Sequence, residues 1–226
     1  VVNLYRKNFT KSERYIRGAL QIFAEKEMFG KKYTLSKAAL YNYLGEVQRR
    51  RGNFQKGCSY YEKAITMCEE QNIFSGLGTF YTNKGLALFH SGEQKEAQIY
   101  FQKAINIFEQ LPTVWGYSVL AYGYLSLITL YNGERQRSYN YIEMAEHIIE
   151  KYPKRYWNGL LYWIKAEIAS KIEKDDELKS LFSNLISKKD DYYRNKADEI
   201  FKDIGTTYEK NLLKSNNENI VKKNRK

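Results

Sequence analysis

The chain has 226 residues, two Pro, two Cys, two His and a formal net charge of +11. That length can bury a substantial core, and so little Pro favours long helices over a turn-dense sandwich. No run of about 18 residues is uniformly apolar, which excludes a membrane span, and two cysteines without metal-type spacing beside only His90 and His147 exclude an ordinary zinc site.

In chain order, the first predicted element lies in VVNLYRKNFTKSERYIRGALQIFAEKE, residues 1–27, where Phe9, Ile16 and Ala19 share one helical face. A helix through ALYNYLGEVQRR follows, with Tyr41, Leu44, Gly45 and Val47 at helical spacing, and then the turn RGNFQKG. After it GCSYYEKAI places Tyr61, Ala64 and Ile65 on one face of the next helix. Cys58 and Cys68 lie on that helix about 15 Å apart, too far to bond each other, so both are expected as free thiols in a reducing compartment.

The arrangement then repeats. FYTNKGLALFHSGEQKEAQIYFQKAI carries Tyr81, Gly85, Leu88, Gly92, Ala97, Phe101 and Ala104 in matching places. A third copy carries Tyr122, Leu125, Ser126, Gly133, Ser138, Ile142 and Ala145. A weaker fourth carries Tyr162, Ala166, Leu178, Phe182 and Leu185, with Glu173 where the turn glycine would stand. The small residue midway along each first helix falls at 45, 85, 126 and 166, and Gly205, with Tyr208, extends the frame. A small residue there lets the second helix cross closely, aromatic rings fill the gaps beside the crossing, and the turn glycine takes the left-handed conformation. Such a pair cannot bury its apolar face alone and must stack on a neighbour.

This pattern resembles the tetratricopeptide repeat, most strongly over residues 38–69 and 78–109, with a longer period of about 40 residues. The fold class the resemblance implies is all-α: a right-handed superhelix, or solenoid, of antiparallel helix pairs. The expected domains are a partial N-terminal repeat (its second helix) over 1–29, four helix pairs over 34–190, a capping helix over 191–213 and a basic, flexible tail over 214–226. On this reading the array is already running where the sequence starts, so the effector part is expected before Val1.

In the implied array the first helices line a concave groove. The expected groove-facing residues are Asn42, Glu46 and Arg49, then Thr79, Thr82, Asn83, Phe89 and His90, then Tyr124, Leu127 and Tyr131, then Trp163 and Glu167. Amides and hydroxyls suit the backbone of an extended peptide, and aromatic residues suit its side chains. The alternative for each is a solvated position on a helix face. Glu46 disfavours capture of a C-terminal carboxylate. Arg49 to Arg51 is either an anion contact or a set of cations at a helix C-terminus, and the apolar helix within residues 116–133 reads as buried core. Paired carboxylates such as Asp175 and Asp176 lie at helix ends, and no phosphate loop, HExxH motif or nucleophile with a base occurs, so neither an enzyme nor a cofactor is expected.

The resemblance extends to the peptide-responsive quorum-sensing regulators of Gram-positive bacteria. It implies a cytoplasmic domain that binds a short peptide in its groove, with homodimerisation allowed and no membrane contact. A general protein-docking or self-associating scaffold is the alternative. Nucleic-acid binding would need a missing N-terminal domain or the tail, where Lys210, Lys214, Lys222, Lys223, Arg225 and Lys226 face a single Glu218.

Overall fold

The computed structural model describes residues 9–25, 30–111, 115–173 and 175–204. The described residues hold ten α-helices and no strand: α1 Phe9–Glu25, α2 Lys31–Arg50, α3 Phe54–Glu70, α4 Leu77–Ser91, α5 Gln94–Gln110, α6 Trp115–Tyr131, α7 Arg135–Lys151, α8 Arg155–Ile172, α9 Asp176–Phe182 and α10 Asp190–Asp203. They divide into two compact units, one up to residue 111 and one from 115 to 204. In the first, α2 pairs with α3 and α4 with α5, and α1 packs on α2. In the second, α6 pairs with α7 and α8 with α10. Residues 1–8, Gly205 with Tyr208, the end of the expected cap and the basic tail lie outside the described residues.

The repeated turn is built as its glycine requires. Gly52, Gly92 and Gly133 have φ between 81° and 89°. At Gly92 the glycine N–H donates to the Phe89 carbonyl (3.1 Å) and the next N–H, of Glu93, to the Leu88 carbonyl (2.9 Å). The same two bonds recur at Gly52 and Gly133. This double bond pattern satisfies the last carbonyls of the first helix and reverses the chain within three residues.

The small residues do the spacing expected of them. A Cβ added at Gly45 would sit 2.5 Å from the Tyr61 ring, and one at Gly85 2.8 Å from the Phe101 ring. In the third pair Ser126 takes the same position, and its Oγ donates to the Ser138 carbonyl (2.8 Å) at the crossing.

The fourth pair departs from expectation. Glu173 is in the right-handed helical region (φ −54°), so the tight left-handed turn is absent and the chain continues into α9, a helix of seven residues. Leu178 and Phe182, expected on a full second helix, are buried on this short segment, where Phe182 meets the Tyr139 ring edge-on at 5.6 Å. The second helix of the pair is α10, anticipated as a lone cap. Its Phe201 and Ile200 meet α8 at Gly159.

One feature links all four pairs. Each second helix carries Tyr-x-x-x-Ala, at Tyr60 and Ala64, Tyr100 and Ala104, Tyr141 and Ala145, and Tyr193 and Ala197. Each of those tyrosines lies against the tyrosine of its own first helix. The ring centroids are 6.5 Å apart for Tyr41 and Tyr60, 6.1 Å for Tyr81 and Tyr100, 6.2 Å for Tyr122 and Tyr141, and 6.4 Å for Tyr162 and Tyr193. Lys63 and Lys103 sit over the first two pairs within cation–π reach.

Candidate functional site

The residues expected on the groove come from the first helices α2, α4, α6 and α8, and the structure buries most of them. In the first unit α2 and α4 lie side by side, and the Asn83 Nδ2 donates to the Asn42 Oδ1 over 2.9 Å with both residues buried. Thr82 is fully buried and its hydroxyl donates to the Gly78 carbonyl (2.8 Å), so it serves its own helix; Thr79 is half-buried. Phe89 and His90 are buried, and the His90 ring lies 5.9 Å from Phe54.

Glu46 and Arg49 are not solvated groove residues, because they belong to a buried ionic cluster. Glu46 accepts from Arg49 (Nε 3.0 Å, Nη2 2.7 Å), from Arg50 Nε (2.5 Å) and from the Tyr61 hydroxyl (3.1 Å). Burial raises the Glu46 pKa, but the two guanidinium charges outweigh it and hold the carboxyl well below the usual carboxylate range. Burial, with Glu46 beside it, keeps the Tyr61 phenol protonated far above its ordinary range. His90 is pushed down to about 3, first by burial and then by Arg49, so its imidazole is neutral. Only Arg51 of the arginine run is exposed, and it pairs with Glu13 of α1. Arg49 and Arg50 therefore serve as buried counter-charges to Glu46, a role the helix C-terminus alone does not explain.

In the second unit α6 and α8 pack together and bring Tyr124, Leu127, Tyr131, Trp163 and Glu167 to a shared surface. Tyr124 and Leu127 are buried, and the Tyr124 ring lies 6.1 Å from the ring of Trp163. Trp163 is buried, and its Nε1 has no hydrogen-bond partner. Glu167, one turn further along α8, forms an ion pair with Arg194 of α10 (2.9 Å). The contact is one of charge, since the Glu167 Oε1 involved lacks hydrogen-bond geometry. Burial raises the Glu167 pKa by more than Arg194 lowers it. The half-buried Tyr131 phenol is pushed up to about 12 by burial and by the Glu167 charge, and Lys171 covers its ring at 5.6 Å.

Three contacts escaped the sequence reading: those of Arg50 and of the Tyr61 hydroxyl with Glu46, and that of Arg194 with Glu167. The first two follow a spacing that could have shown them, since Arg50 is one turn from Glu46 and Tyr61 faces Gly45 across the crossing. Arg194 could not be placed while α10 stood as a lone cap. Among the described residues no group of three His, Cys, Asp or Glu is placed to hold a metal ion, and no helix is long and apolar enough to cross a membrane. Cys58 and Cys68 are free thiols on α3, each pushed up to about 11 chiefly by burial.

Comparison with known proteins places this geometry. The tetratricopeptide repeat model matches residues 36–110, which span α2 to α5. No curated protein matches the chain. Among solved structures, the crystal structure of the apo form of RapI matches with a TM-score of 0.64 at 17% identity, over 90% of this chain and 80% of that one. At that identity the likeness is one of fold alone.

Proposed function

We propose, from the match of residues 36–110 to the tetratricopeptide repeat model, that the chain is the peptide-sensing part of a regulator. Its non-enzymatic task would be to bind a short extended peptide along the surface shared by the first helices of the second unit, α6 and α8. One observation carries this reading: the Trp163 indole N–H is buried without an acceptor. A buried donor left unpaired costs about 1–3 kcal/mol. A peptide carbonyl that takes this bond recovers that cost, and the Glu167 carboxylate one turn away can accept from a peptide N–H. The ligand reaches the indole when the Tyr124 and Trp163 rings part. The described state is therefore the closed partner of an equilibrium that a peptide shifts toward the open one.

The second reading is a docking scaffold for folded protein partners, with no small ligand. The mutual satisfaction of Asn42 and Asn83 favours it, because these amides need no ligand to be paired.

A thermal-shift screen of the intact chain against a panel of short peptides, with indole emission followed in parallel, separates the two readings. A peptide at 100 times its dissociation constant adds about 2.7 kcal/mol of stability. Binding at Trp163 also changes the indole emission. If every peptide leaves both stability and emission unchanged, the sensor reading fails and the scaffold reading stands.

A further inference from the structure

Packing at the surface shared by α6 and α8 leaves two buried groups over, and they are of opposite kind. The Trp163 Nε1–H lacks an acceptor, and the Glu167 Oε1 lacks a hydrogen-bond donor. Glu167 follows Trp163 by one turn of α8, so the two side chains stand on one face of the helix. Exposure falls inward along this face: the Arg194 side chain is 31% exposed, that of Glu167 11%, and Trp163 6%. A ligand group therefore enters past Arg194 and comes to rest at the indole.

The charges around the two groups cancel. Glu167 and Asp190 both face Arg194, at 2.9 and 3.3 Å, and Lys171 covers the ring of Tyr131, whose phenol feels the Glu167 charge. That balance, with one donor and one acceptor to satisfy, selects the chemistry of the occupant. A carboxylate would accept from the indole but has no proton to give, and Glu167 repels it. An ammonium offers donors only, to a carboxylate that already has Arg194. A hydroxyl must make both bonds through a single atom. A trans peptide group points its C=O and N–H in opposite directions. A primary carboxamide is neutral and carries an acceptor oxygen and an N–H donor side by side.

We propose that Trp163 and Glu167 form a subsite for a primary carboxamide, the side chain of an Asn or Gln residue in the bound peptide. Its oxygen accepts from the Trp163 Nε1–H, and its N–H on the same side donates to the Glu167 Oε1. The Tyr124 ring, 6.1 Å from the ring of Trp163, moves aside to admit the group. This subsite rests on the peptide-sensing reading and adds to it a preference at one position of the ligand.

The test follows the indole N–H resonances of the isotope-labelled intact chain, with Trp163→Phe identifying the one that belongs to Trp163. The probes are propionamide, N-methylacetamide, propionate, propylammonium and propanol. Propionamide should move the Trp163 resonance saturably and bind at least about tenfold more tightly than each of the others. Glu167→Met should remove most of that preference while the resonance persists, which reports an intact fold. In thermal-shift measurements Trp163→Phe should likewise cease to distinguish propionamide from N-methylacetamide. No response to propionamide, equal affinity for N-methylacetamide, or a preference that survives both variants overturns the proposal. Peptides that bind when propionamide does not would leave the sensor reading standing without this subsite. Propionamide binding to a protein that no peptide stabilises would keep the subsite and overturn its assignment to a peptide.

Discussion

Asn42 and Asn83 stand 41 residues apart, one repeat period, and their side-chain amides meet at 2.9 Å in the interior of the first unit. The bond ties first helix to first helix, a different link from the crossings that tie each first helix to its own second helix. Asn83→Ala leaves the Asn42 carbonyl buried without its donor, and unfolding free energy should fall by about 1–3 kcal/mol. The double alanine variant should cost less than the sum of the two single ones, with a coupling of at least about 0.5 kcal/mol in chemical denaturation. Strict additivity would show that the bond contributes nothing.

Gly45→Ala sets two effects against each other. Helix propensity alone favours Ala by about 1 kcal/mol. The added methyl, however, would lie 2.5 Å from the fully buried Tyr61 ring, and overpacking of this kind costs about 1–3 kcal/mol. The clash should win, with a lower Tm for Gly45→Ala, whereas Gly18→Ala on the open face of α1 should raise it. A stabilised Gly45→Ala protein would mean that the α2–α3 crossing is looser than described.

The neutral His90 makes stability depend on pH with a definite sign. Its folded pKa of about 3 lies below the ordinary 6.5, so the unfolded chain binds the proton first. The contribution is fully present above pH 6.5 and is lost as pH falls from 6.5 toward 3. At pH 5 the loss from this group is about 2 kcal/mol relative to neutral pH. The half-buried Glu46 carboxylate, with its depressed pKa, adds a further loss only below its unfolded value of about 4.5. His90→Gln should flatten the slope between pH 7 and 5 in denaturant titrations, and an unchanged slope would assign it to other groups.

Trp163→Phe separates stability from binding. It deletes a buried donor that has no acceptor, so the unliganded protein should be unchanged or more stable by up to about 1 kcal/mol. A peptide that uses the indole should bind about tenfold more weakly, roughly 1.4 kcal/mol. Equal peptide affinity for both proteins would remove Trp163 from the site.

Ala197→Leu tests the assignment of α10. If α10 is the second helix of the fourth pair, the substitution should destabilise by about 1–3 kcal/mol, as Ala145→Leu should in the third. A neutral effect at 197 beside a large one at 145 would return α10 to the role of a loosely attached cap.

The repeat frame was legible in the sequence because each crossing demands a residue type. Gly45, Gly85, Ser126 and Ala166 are small where a ring or backbone approaches, and Gly52, Gly92 and Gly133 are needed for the left-handed turn. The same logic explains the miss in the fourth pair: without a glycine at 173 the turn is lost, and the spacing between Ala145 and Ala197 stretches beyond the repeat period. Helical periodicity also put Asn42, Glu46, Arg49, Asn83, Trp163 and Glu167 on the correct helices. It could not say how deep they lie. Depth depends on what packs alongside, so Glu46 and Arg49 looked solvated when they are a half-buried carboxylate and its buried counter-charge. His90, formally a possible polar contact, is a neutral core residue for the same reason. The Tyr-x-x-x-Ala sequence of α10, at Tyr193 and Ala197, stands outside the repeat period that relates the other second helices.

The half-covered state of α1 has a consequence for how the first unit comes apart. In a stack held by nearest neighbours, an interior helix is released only when contacts on two sides break, whereas a terminal helix needs one. Local opening should therefore begin at α1 and run inward, at a free energy well below that of global unfolding. The amides of Phe9–Glu25 would then exchange first, followed by α2. Within the described residues of the first unit, opening then runs from α1 toward α2, with the exposed Tyr15 and Ile22 at its start.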